Sequence, residues 1–95
     1  MITAVVLINA QVDLIPEIAE QVSQLDGVSE VYSVAGDVDL VAMVRVRAHD
    51  DLADVIAGNL NKVPGILSTQ TLIAFRTYSR HDLEATFALG FADAD

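Results

Sequence analysis

The chain has 95 residues, enough for one domain, and 53% of them are apolar. Five basic residues against 14 acidic ones give a net charge of −9, the wrong sign for holding nucleic-acid phosphates or an anionic membrane surface. The absence of cysteine excludes disulfides, thiolate nucleophiles and cysteine-ligated zinc, and three Phe and two Tyr with no Trp leave no stacking platform for single strands.

The run Thr3 to Ile8 is continuously apolar and rich in β-branched residues, which predicts a strand buried on both faces. Asp13 offers a helix N-cap, with Pro16 in the first turn and Gly27 as the stop. Between them Leu14, Ile15, Ile18, Ala19, Val22 and Leu25 fall at helical spacing, with Glu17, Glu20, Gln21 and Gln24 opposite. Val28 to Ala35 reads as a second strand and Asp39 to Arg47 as a third, joined by the hairpin island Gly36-Asp37-Val38-Asp39. A second helix opens at His49 or Asp50 as cap and places Leu52, Val55, Ile56, Asn59 and Leu60 on one side. Gly58 weakens it by roughly 1 kcal/mol relative to Ala. Pro64-Gly65 ends it, and Ile66 to Tyr78 reads as a fourth strand.

Leu25 to Val31 and Val63 to Thr69 echo each other: helix end, glycine, branched residue, strand start. Two strand-helix-strand halves with right-handed crossovers give an α+β, ferredoxin-like domain. Its four-stranded antiparallel sheet has the order 4-1-3-2 and carries both helices on one face. Residues 1–78 form this domain. Residues 79–95 form an extension, with Ser79 to Asp82 capping a short helix through Leu89, and a frayed end from Phe91. The N-terminus carries no basic signal region and no segment has the length of a membrane span, so the expected location is the cytoplasm.

Leu40, Ala42, Val44 and Val46 are the apolar face of the third strand and are expected to meet the helices. The other sheet face keeps an apolar centre of Val41, Met43 and first-strand residues, joined by Tyr32, Val34 and Leu72. Small soluble monomers rarely expose such a patch, which predicts a homodimer through the open sheet face.

Catalytic candidates are few. His49 and His81 each precede an Asp, a pair able to ligate a metal or act as a base, but both sit where a helix begins and read as capping residues. No metal-ligand motif or phosphate-binding loop is present, so no metal or cofactor is expected. Asp37 and Asp39 have two readings: turn chemistry alone, or a turn that presents carboxylates to a small polar ligand such as an amino acid's ammonium. Thr69 and Thr71 share one strand face, where paired hydroxyls suit a ligand carboxylate or amide.

The β-α-β-β-α-β order, with "VAGDVDLVAMVRV", "VPGI" and "STQTLIAF", resembles the RAM, or effector-binding, domain of the Lrp/AsnC regulators from Met1 to about Thr77. The hairpin tyrosine of that family is Val38 here. Met1 falls directly at the first strand, so the resemblance is to the domain in stand-alone form, without the DNA-reading helix-turn-helix, and no direct DNA binding is expected. The resemblance implies dimers joined through their sheets, a higher ring of dimers, and co-assembly with full-length Lrp/AsnC regulators. It implies binding of an amino acid or related metabolite between dimers, and it carries ligand contact onto Gly36, Asp37, Asp39, Thr69 and Thr71. The order 4-1-3-2 puts the hairpin and the fourth strand at opposite edges, roughly 10–15 Å apart, so a ligand touching both would be held by two subunits. Two other readings stand beside this one: a dimeric α+β-barrel enzyme of the small monooxygenase type, and a purely structural partner subunit.

Overall fold

The computed structural model describes residues 1–78. The expected helix of the extension lies outside the described residues. Strand β1 spans Ile2–Ala10, a 3-10 turn covers Val12–Leu14, and helix α1 runs Ile15–Ser23. Strands β2 (Val28–Ser33) and β3 (Leu40–Val46) follow, then α2 (His49–Ala53) and β4 (Ile66–Ile73). The sheet order is β2-β3-β1-β4, with every pairing antiparallel, as the two-halves reading predicts.

The core lies between the sheet and the helices. From β1 it takes Ala4, Val6, Ile8 and Ala10, from β3 Leu40, Ala42, Val44 and Val46, and from the helical layer Ile18, Val22, Leu52, Val55, Leu60 and Val63. The alternate β1 residues Thr3, Val5, Leu7 and Asn9 are only half-buried, so one face of that strand is covered and the other is not.

Gly27 and Gly65 make the fold two halves that grip each other. Each follows a helical segment and takes a positive φ, +91° and +96°. A Cβ on Gly27 would stand 2.6 Å from a Val55 methyl of the second helical segment, and one on Gly65 would stand 2.7 Å from Ile18 Cδ1 of α1. Each half's glycine is thus the socket for the other half's helix. Their carbonyls also do parallel work: Gly27 accepts from Arg45 N and Gly65 from Gln11 N, both at 2.9 Å.

Several expected boundaries differ. Asp13 lies in the 3-10 turn, and α1 begins after Leu14 with no side-chain cap; Pro16, lacking an N–H, suits the opening turn instead. Ala48, not His49 or Asp50, is the N-cap of α2. After Ala53 the segment widens into a π turn, Asp54–Asn59, and tightens into a 3-10 turn, Leu60–Lys62. The reason is visible in the side chains. Val55 and Leu60 are both buried but five residues apart, a π spacing, and Asn59 is exposed rather than on the core side. Strand β2 ends at Ser33, β3 spans only Leu40–Val46, and β4 ends at Ile73. Beyond Ile73 the chain passes the end of β1: Ala74 N still bonds Thr3 O, but Phe75 is fully exposed.

Candidate functional site

The loop 34–39 leaves β2 and enters β3 beside the C-terminal end of β1, which is also where β4 begins. Within the loop the two aspartates do different things. Asp39 is half-buried and held by three bonds: its N–H donates to Ile8 O at 2.9 Å, its carbonyl accepts from Val34 N at 3.1 Å, and its Oδ2 accepts from Ala10 N at 2.9 Å. The carboxylate therefore supplies the acceptor that the end of β1 would otherwise lack. Asp37 is exposed. Gly36 has φ +132° with open space where a Cβ would stand, so its role is conformational.

Thr69 and Thr71 lie on the outer strand β4. Their register partners are Ile8 and Val6, both core residues, so both threonines turn toward the helical layer. There Thr69 Oγ1 donates to Asn61 Oδ1 at 2.9 Å. The opposite face of β4 carries Ser68, Gln70 and Leu72, opposite Asn9, Leu7 and Val5. Asn9 Nδ2 donates to Ser68 Oγ at 3.3 Å, a polar pair at the loop's end of the uncovered face. The five expected site residues are therefore divided. Gly36, Asp37 and Asp39 gather at the loop, while Thr69 and Thr71 stand two strands from β3 on the helix side. Asn9 and Asn61 were missed by sequence reasoning. Asn9 breaks an otherwise apolar strand and was legible as an anomaly; Asn61 depends on the π turn and was not.

The uncovered face matches expectation. Val5, Leu7, Val41 and Met43 are half-buried, while Tyr32, Val34 and Leu72 are exposed. At its rim Arg45 Nη1 donates to Ser29 Oγ and pairs with Glu30 Oε1 at 3.5 Å. The Tyr32 phenol is pushed above its ordinary value, first by the neighbouring Glu30 carboxylate, which favours the neutral phenol, and then by desolvation.

Two shallow clefts form elsewhere. One of about 290 Å³ opens at the far end of the sheet between Asp26, Arg47, Asp51 and Asp54; one of about 280 Å³ lies between α1 and the π turn. Neither is lined by an expected site residue. Among the described residues no cluster of His, Cys, Asp and Glu could hold a metal ion, and no helix is long and apolar enough to cross a membrane.

Residues 3–83 match the family model of the Lrp/AsnC ligand binding domain. The chain belongs to that family. A crystal structure of TTHA0845 from Thermus thermophilus is 42% identical, with a TM-score of 0.79, over 84% of this chain and all (100%) of that one. The HTH-type transcriptional regulator PH1916 of Pyrococcus horikoshii is 34% identical over 64% of this chain, and the match spans only 41% of that regulator. A feast or famine regulatory protein of M. tuberculosis, solved in complex with L-methionine, is 27% identical over 84% of this chain and 54% of its own, with a TM-score of 0.67. This Lrp/AsnC domain thus has the fold and family of a regulatory effector-binding module.

Proposed function

We propose that this domain binds an amino acid or related metabolite and couples that binding to assembly, as a regulatory or accessory subunit of the Lrp/AsnC type. The observation that carries the reading is the contrast within the loop. Asp39 is locked onto β1, while Asp37, two residues away, is exposed, a carboxylate free to meet a ligand's ammonium. The methionine complex of the tuberculosis relative supports the ligand class. The uncovered apolar face supports a homodimer through the sheets, extending to a ring of dimers or to mixed assembly with full-length regulators. Gly36 and Asp37 of one subunit, with Asp39 behind them, form one wall of the site; Thr69 and Thr71 of a neighbouring subunit form the other. Binding at such a shared site favours the assembly that contains it.

The test is a thermal-shift screen of the twenty amino acids read together with native mass. At least one amino acid should raise the melting temperature and shift the assembly state, and Asp37→Asn should remove that shift while leaving the unliganded melting curve in place. A wild-type protein that answers to none of the twenty overturns the reading.

A further inference from the structure

Thr69 stands on β4 with its side chain toward the helical layer, and its hydroxyl donates to Asn61 Oδ1 at 2.9 Å. A threonine hydroxyl has one hydrogen to give and two lone pairs with which to accept. While the hydrogen is committed to Asn61, Thr69 can only accept. A carboxylate oxygen brought against it would meet lone pair with lone pair, whereas an ammonium or other N–H would meet an acceptor.

The position of Asn61 is built into the chain. The π turn Asp54–Asn59 carries the segment far enough round to bury Leu60, and the 3-10 turn that follows ends as Val63 enters the core. Asn61 lies between those two anchors, so its backbone cannot swing away from β4 without unseating Leu60, which is 0% exposed, or Val63 at 6%. The segment's departure from α-helical winding therefore sets which residue stands against Thr69.

We infer that Asn61 is a specificity-determining residue that fixes the polarity of Thr69, so that Thr69 receives the amino group of a ligand rather than its carboxylate. This reverses the role that paired hydroxyls alone suggest, and it rests on the placement of Thr69 in the proposed site. Asn61 acts through Thr69 and touches no ligand itself.

The experiment takes the full chain and the panel of twenty amino acids against wild type, Asn61→Asp, Asn61→Leu and Asn61→Ala, read by thermal shift and by calorimetric titration of each amino acid that responds. Asp can only accept, so it keeps Thr69 as the donor; Leu and Ala free the hydroxyl hydrogen. The expected result is that Asn61→Asp binds the wild type's amino acids as tightly or more tightly, while Asn61→Leu and Asn61→Ala bind them roughly tenfold more weakly with little change in unliganded melting. Rescue by Asp is what a merely structural role for Asn61 would not produce. If Leu and Ala bind as wild type does, Asn61 sets nothing and the inference fails while the ligand reading stands. If Asp weakens binding as Leu does, Asn61 acts through its amide hydrogens and the polarity is the opposite. If no amino acid shifts the wild type, the ligand reading fails and takes the inference with it.

Discussion

The Asp39 carboxylate accepts a hydrogen bond from the backbone N–H of Ala10, 29 residues away in sequence, at 2.9 Å. Ala10 is the last residue of β1 and is buried, so its N–H has no access to bulk water as a substitute. Asp39→Ala should cost about 1–3 kcal/mol in urea unfolding, because it orphans that donor. Asp37→Ala, at an exposed position, should stay within about 0.5 kcal/mol of wild type. Equal effects at the two positions would remove the distinction between the locked carboxylate and the free one.

Three of the four described glycines, Gly27, Gly58 and Gly65, should respond in opposite directions. Gly27→Ala and Gly65→Ala each add a methyl at positive φ and within 2.7 Å or less of a core side chain, so both should destabilise by at least about 1 kcal/mol. Gly58 has no positive φ and open space at its Cβ position, so Gly58→Ala should stabilise by about 0.4–1 kcal/mol. Thermal melts of the three variants check the ranking.

Met43 sits near the centre of the uncovered face, paired with Val5 across the β1–β3 ladder. If two sheets close on each other there, Met43→Asp buries a charge without a partner on both sides of the interface. The expected outcome in sedimentation at micromolar protein is a dimer for wild type and a folded monomer for the variant. A well-folded wild-type monomer contradicts the sheet-paired assembly.

Tyr32 offers a titration that reports on the same face. The Glu30 carboxylate raises its folded-state pKa above the ordinary 10.0. The sign follows from the neutral phenol being favoured in the folded chain: whatever stability this lends is present below that ordinary value and is lost as pH rises through the folded value. The chain has two tyrosines, so in a Tyr78→Phe background ultraviolet titration reads Tyr32 alone. Adding Glu30→Gln should lower the midpoint; an unmoved midpoint would mean that Glu30 does not govern it.

The architecture was legible because its cues are short-range and agree with one another. Gly27 and Gly65 mark helix ends, the alternation Leu40-Ala42-Val44-Val46 marks a covered face, and the repeated half fixes the strand order. The end of β4 was not legible, since Ala74 to Tyr78 keeps strand composition although regular pairing with β1 stops at Ile73 opposite Ala4, leaving only the bond from Ala74 N to Thr3 O beyond it. The π turn was hidden too. Leu52, Ile56 and Leu60 satisfy an α-helical count on paper, and only packing against the sheet selects Val55 with Leu60. Of the site, the loop could be seen from Gly36 and the two aspartates, but the division of labour between Asp37 and Asp39 comes from a contact with Ala10 that no local pattern encodes. The facing of Thr69 depends on its register with Ile8, a property of the assembled sheet.

The position of β1 in the sheet has a consequence for how the protein is made. The first of the sheet's four strands in chain order is an inner one, yet the two segments that follow it, α1 and β2, leave both its edges unpaired: β2 pairs only with β3. One edge of β1 is closed when Leu40–Val46 arrives, and the other waits until Ile66–Ile73 has been translated. Until then the nascent chain carries an apolar strand with an open edge, the feature by which unfinished chains pair with one another. Closure of the last edge joins residues far apart in sequence, the kind of contact that slows folding. A circular permutant that opens the chain in the loop 34–39 and joins the end of β4 to the start of β1 would bring those two strands together early, and should refold faster than the natural order.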